Sequence, residues 1–173
     1  NARRALELIR DQQIPPAADL QLPRWFEVFD PARVSSFDVV GSVSSARLAN
    51  LRWTLSVAEG VVGKSFTQVA SGTGAVDQGL LGSVSLAPEG PLGSLVVRSA
   101  DPAGNDPEQF TATLLLEVIG SNAAGDDVKG VFRKTFGVRT DPSTFEGFPI
   151  FLGASGESSP KLTDLDGDGR EEI

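Results

Sequence analysis

The order of apolar and polar positions divides the chain into stretches of different texture. Over residues 1–12, Ala2, Ala5, Leu6 and Ile9 fall at the i, i+3, i+4, i+7 spacing of one helix face, while Arg3, Arg4, Glu7 and Arg10 face elsewhere. Asn1 suits the N-cap, and Ile14-Pro15-Pro16 must stop the helix, because proline removes a donor and disfavours helix in the residue before it. A lone amphipathic helix is unstable in water, so this face requires a partner, supplied by the downstream sandwich or by a domain upstream. Residues 15–33 hold four prolines and no steady period. They read as an extended connector in which Trp25, Phe26, Val28 and Phe29 form a sticky patch that packs on a neighbouring domain.

From about Val34 to Val138 the texture changes to short β-type runs separated by Gly, Pro, Asn and Asp. The predicted strands are Phe37–Val40, Leu51–Val57, Ser65–Ala70, Leu80–Leu86, Leu92–Arg98, Phe110–Ile119 and Val131–Val138. The last two are the clearest. Phe110, Ala112, Leu114, Leu116 and Val118 share a face by strict alternation, against Thr111, Thr113 and Glu117, with Leu115 breaking the polar side. In the next run Phe132, Phe136 and Val138 share a face and Lys134 is the exception. Gly120-Ser121-Asn122-Ala123-Ala124-Gly125-Asp126-Asp127 between them is turn chemistry, so the pair predicts a long hairpin. Seven strands over about 105 residues predict a mainly β fold, an immunoglobulin-like or fibronectin type III-like sandwich. Trp53, flanked by Leu51 and Leu55 on its face, is expected in the core of that sandwich.

Composition removes several chemistries. The 173 residues include no His, Cys, Met or Tyr. Ser-His-Asp and Cys-His catalysis, ordinary zinc, haem and iron–sulfur sites and disulfides are therefore excluded for this chain. The absence of Met, at position 1 included, reads as an internal piece of a longer protein. No run of 18 apolar residues could form a membrane helix, and Asn1-Ala2-Arg3-Arg4 lacks the apolar stretch of a signal peptide. A net charge of −8 argues against nucleic acid as a partner.

The charge is unevenly placed. Residues 1–52 carry 7 basic and 6 acidic side chains, residues 53–173 carry 8 and 17, and five of the acids stand in the last ten residues. There Asp164, Asp166, Asp168 and Gly169 spell D-x-D-x-D-G. Alternate carboxylates at loop positions one, three and five converge on one centre, as a hard cation with six to eight oxygen ligands requires, and Gly at six allows the sharp turn. Arg170 at position seven offers its carbonyl, and Glu172 at position nine a fourth carboxylate. The EF-hand form needs Glu at position twelve, which would be residue 175; the nine-residue form is complete. Calcium is the expected cation.

Other constellations are thinner. Gly60-Val61-Val62-Gly63-Lys64-Ser65 echoes the end of a P-loop, but Ala58 stands where the motif needs Gly, so it reads as a turn. Lys64 and Ser65 are adjacent and point to opposite faces of a strand, which discards a Ser-Lys pair. Trp25 and Trp53 could stack on sugars, a reading that burial of both would sink.

The stretch from Ser158 to Ile173 resembles the repeat of FG-GAP proteins, which builds β-propeller blades around a D-x-D-G-D-G calcium loop, and Gly147-Phe148-Pro149 resembles the opening of such a propeller. The resemblance implies a calcium role for Asp164, Asp166, Asp168 and Glu172. Asn1-Ala2-Arg3-Arg4-Ala5 is similar to the N-A-x-x-A part of the helix that closes the catalytic domain of subtilisin-like serine proteases. Together they imply an accessory sandwich, residues 31–141, between the tail of an upstream domain with a Pro-rich linker, residues 1–30, and the start of a calcium-binding repeat, residues 142–173. The implied setting is a secreted or cell-surface bacterial multidomain protein. None of the family's catalytic motifs falls in this chain. The expected role is a non-catalytic spacer or interaction module whose partners are neighbouring domains, and the alternative is an adhesive or carbohydrate-binding sandwich engaging protein or polysaccharide. Calorimetry on a chain extended through the complete blade should show calcium binding that Asp166→Ala abolishes; absence of heat on the extended chain would defeat the assignment.

Overall fold

The computed structural model describes residues 7–10, 13–101 and 107–140. The chain divides into two compact units, Asn1–Ser143 and Thr144–Ile173, and every described residue belongs to the first. Residues 7–10 are helical, within the stretch where the periodicity predicts a helix.

The described residues form eight strands: β1 Ala17–Leu22, β2 Val28–Phe29, β3 Ser36–Ser44, β4 Ala49–Glu59, β5 Thr67–Thr73, β6 Val76–Ser85, β7 Thr111–Ser121 and β8 Asp127–Val138. They make two sheets, ordered β1-β3-β6 and β2-β8-β7-β4-β5. Neighbours in each sheet are antiparallel except β2, which runs parallel to β8. The fold is mainly β and sandwich-like, as the sequence predicts.

The core is made by the alternation already visible in the sequence. Phe37, Val39 and Val43 from β3 meet Leu55 and Val57 from β4 and Ala112, Leu114, Leu116 and Val118 from β7, all in one buried cluster. Phe37 stacks on Phe29 at 4.1 Å and meets Phe136 edge-on at 5.0 Å. Trp53 belongs to the same cluster. Its ring crosses onto the facing strand at Gly72, the residue paired with it, where a Cβ would overlap the indole. The predicted β7–β8 hairpin is present in full register from Thr111↔Gly137 to Ser121↔Asp127. Its turn is closed by Asn122, whose Oδ1 accepts the N–H groups of Ala124 at 3.0 Å and Asp126 at 2.8 Å.

Three expectations change. Leu92–Arg98 is not a strand: Gly93–Arg98 is a short helix, α1. Leu92, Leu95, Val96 and Ser99 are buried while Val97 is 65% exposed, which is the helical period rather than alternation. The stretch that reads as a connector supplies β1 and β2, so the sandwich begins before residue 31. Proline content hides these strands: Pro15 and Pro16 precede β1 and Pro23 comes after it, across a cis Leu22–Pro23 bond, so none interrupts a ladder. Phe29, expected in the sticky patch, packs inward instead on Phe37 and Phe136.

The outer face of the larger sheet is not simply wet. Thr113, Leu115, Ser56 and Ala58 point outward by parity yet are buried. The β4–β5 loop folds across this face. Thr113 Oγ1 donates to the carbonyls of Gly60 at 2.8 Å and Val61 at 2.7 Å, Glu108 accepts the Val61 N–H at 3.1 Å, and the Arg133 guanidinium lies 5.6 Å from the Phe66 ring. The Gly60–Ser65 stretch is thus a turn that doubles as a strap, and Leu115 breaks the polar face because it is covered.

At the far edge, β5 pairs with β4 through an irregular ladder: Leu55 faces Ala70 and Ser56 faces Gln68, so Val69 has no opposite residue. Leu116, fully buried at the sheet centre, tests the core directly. Leu116→Ala is expected to lower unfolding free energy by about 2–5 kcal/mol in urea titration.

Candidate functional site

Among the described residues, the most exposed large apolar side chains beside one another in sequence lie between β1 and the start of β2. Trp25 is 51% exposed, Phe26 73% and Val28 43%. The Trp25 and Phe26 ring centroids are 6.0 Å apart at 43°, and Trp25 leans on Phe132 of β8 at 6.3 Å. We call this group the aromatic ledge.

Its backbone is tightly held. Glu27 N–H donates to the Arg24 carbonyl at 3.2 Å, and the Glu27 carboxylate accepts the Arg24 N–H at 2.7 Å. Phe26 N–H donates to the Thr135 carbonyl at 3.1 Å, Gly137 N–H to Glu27 at 2.7 Å and Arg139 N–H to Phe29 at 3.0 Å. Phe26 is thereby fixed at φ +56°, the left-handed region that a bulky aromatic seldom enters. Such a conformation costs of order 1–3 kcal/mol and persists only where the surroundings impose it. Here the strain is not returned as burial, because the ring faces solvent.

Beside the ledge is a shallow notch of about 270 Å³ lined by Phe26, Val28, Phe110, Phe136 and Arg139. The Arg139 guanidinium stands 5.1 Å from the Phe110 ring. Beneath the ledge the Lys134 ammonium donates to backbone carbonyls at the end of β1 and lies 5.7 Å from the Trp25 ring. The arrangement can bury an apolar surface against rings of fixed orientation; its parts suit recognition.

A second concavity, about 680 Å³, opens at the end of the sandwich between Glu59, Lys64, Ser65, Arg98 and Glu108. Its Glu59 is already occupied. Glu59 accepts the Leu95 N–H at 3.0 Å, the Arg98 guanidinium at 2.7 Å and the Ser94 hydroxyl, tying β4 to the first turn of α1. Burial pushes the Glu59 carboxyl up, but the hydrogen bonds from Ser94 and Arg98, the Arg98 charge and the Leu95 N–H together hold it below its ordinary value of 4.5. This groove is braced rather than reactive.

The residues predicted from sequence fall in different places. Asp164, Asp166, Asp168, Arg170 and Glu172 lie outside the described residues, as do Asn1–Ala5 and Gly147-Phe148-Pro149. Among the described residues no group of three or more His, Cys, Asp or Glu is placed to hold a metal ion, and no helix is long and apolar enough to cross a membrane. Trp53 is buried in the core, as expected, and so is removed from the sugar-platform idea, while Trp25 is on the surface. That the left-handed Phe26 and the buried Lys134 belong to one site is not visible in the sequence. Lys134 leaves a signal, as the one charged residue on the apolar face of its strand; nothing in the sequence marks Phe26. Comparison with protein-family models, curated proteins and solved structures finds no match.

The Glu59 brace has a pH signature. A carboxyl whose folded value is depressed contributes stability above its unfolded value and loses it as pH falls through the folded one. Glu59→Gln should lower unfolding free energy by about 1 kcal/mol at pH 7, and the gap to the native protein should narrow as pH drops below 4.5. Urea melts from pH 7 to pH 3 measure it.

Proposed function

We propose that this chain is a non-catalytic spacer and interaction module of a secreted multidomain bacterial protein. In this reading the parent is a subtilisin-like peptidase whose accessory sandwich leads into a calcium-binding β-propeller. The observation that carries the interaction role is the aromatic ledge. Phe26 is held in a strained conformation with its ring outward beside a half-exposed Trp25, and the fold gains little burial from the Phe26 ring in return. The expected occupant is a neighbouring domain of the same chain, because the ledge sits in the β1–β2 connection near the N-terminal end of the sandwich, where this reading places the junction with an upstream domain.

The calcium part rests on donor chemistry. Four carboxylates, from Asp164, Asp166, Asp168 and Glu172, with the Arg170 carbonyl, form a set of hard oxygens suited to that cation. Bound there, calcium would cancel the mutual repulsion of the acids and stiffen the propeller end.

A polysaccharide-binding module is the competing reading. It retains Trp25 but loses Trp53 to the core, and the Trp25 and Phe26 rings meet at 43° instead of forming one flat platform. The docking reading needs only apolar contact and accommodates that tilt.

The ledge can be tested apart from stability. A Trp25→Ala, Phe26→Gly double variant should leave the isolated chain folded and lower its unfolding free energy by about 2 kcal/mol or less, since half of Trp25 is buried against Phe132 while the Phe26 strain is relieved. In the full-length parent, the same changes should speed limited proteolysis of the 10–16 segment several-fold as the neighbouring domain undocks. Unchanged proteolysis would count against docking, and loss of polysaccharide retention on an affinity gel would favour the competing reading.

A further inference from the structure

Lys134 occupies a core-facing position of β8, between Phe132 and Phe136, where alternation calls for an apolar side chain. It is only 4% exposed. Its ammonium donates to the Leu20 carbonyl and, at 3.3 Å, to that of Gln21, and it stands 5.7 Å from the centroid of the Trp25 ring. Asp19 on β1 and Glu27 in the turn favour its charge, but burial outweighs them and holds the amine below the ordinary lysine value of 10.5. A buried cation held this way is a poor source of stability compared with a well-packed apolar side chain. Its distinctive contribution is directional: one nitrogen fixes two backbone carbonyls and one face of an indole.

We propose that Lys134 is the positioning residue of the aromatic ledge. Its ammonium ties the last carbonyls of β1 to β8 and takes the inner face of Trp25, so the ring is presented outward in one orientation. This rests on the reading of the ledge as an interaction surface, and it adds the chemistry of the partner. A cation against one face of a ring repels a second cation approaching the other. The ledge therefore suits a partner surface of apolar carbon and disfavours one that offers Lys or Arg to Trp25.

The composition makes the test clean. With no Tyr, His or Cys, no phenolate, imidazole or thiolate can alter tryptophan emission in alkali. Trp53 is buried and Trp25 half exposed, so the acrylamide-quenchable emission reports Trp25. In the full chain, Lys134→Met should raise that quenching about twofold as the ring gains its second face, while Lys134→Arg, which keeps the charge, should stay near the native level. The native chain should also show an emission transition centred below pH 10.5 that both variants lack. Lys129→Met, which removes the lysine paired with Glu117, should retain it. Should Lys134→Met fail to fold, the native and Lys134→Arg profiles decide. Identical quenching and identical alkaline profiles across the native chain and the Lys134 variants would overturn the proposal. These readings need no partner. A positive result here alongside unchanged domain docking in the ledge double variant would defeat the docking reading and leave the role of Lys134 intact.

Discussion

One strand, β8, holds three different neighbours at once, and the arrangement of the N-terminal part depends on it. Along one edge it pairs with β7 over eleven register positions. Along the other, the carbonyl of Thr135 and the N–H groups of Gly137 and Arg139 take up the Phe26–Phe29 backbone. On its inner face, Gly130 leaves room for the Pro16 carbonyl and Lys134 binds those of Leu20 and Gln21. Buried backbone groups must be paired somewhere. β8 meets that requirement for β2 and the turn before it, while β3 pairs with β1.

This division of labour explains why the fold is largely readable from the sequence while the site is not. Where a strand is buried on one face, alternation is enforced residue by residue, and β7 shows it: Ala112, Leu114, Leu116 and Val118 are all fully buried. The exceptions carry the information that alternation cannot decode. Leu115 breaks the polar face because a distant loop covers it, and Lys134 breaks the apolar face because its partners are carbonyls 113 and 114 residues away in sequence. Leu92–Arg98 misleads because a short run rich in leucine and valine satisfies both periods, and only its neighbours select the helix. β1 and β2 are hidden because prolines bounding a strand look, in one dimension, like prolines interrupting one. The proposed calcium loop is the opposite case: the spacing of its carboxylates is local, so the expectation is stated from the sequence alone.

The two concavities illustrate a general distinction. Both contain charge, and a reading by residue type alone would favour the groove with Glu59, Lys64, Ser65 and Glu108 as the reactive one. Its geometry says otherwise, since the Glu59 carboxylate is committed to the start of α1 and to Arg98. At the ledge the order is reversed. The charged group is hidden, the rings are outside, and backbone strain at Phe26 is maintained without burial of its own side chain. That combination is the basis on which the ledge is proposed as a contact surface.

The missing partner of Val69 has a further consequence. From Ser65 to Val76 the chain carries no charged residue and no proline, so the free edge of β5 lacks the two commonest deterrents against pairing with the same strand of another molecule. The skipped position at Val69 breaks the regular spacing of the edge halfway along, leaving a continuous run only from Ala70 to Thr73. On a molecule of net charge −8 with a neutral edge at β5, the irregularity in this ladder is therefore the local feature that opposes the joining of two copies into one sheet.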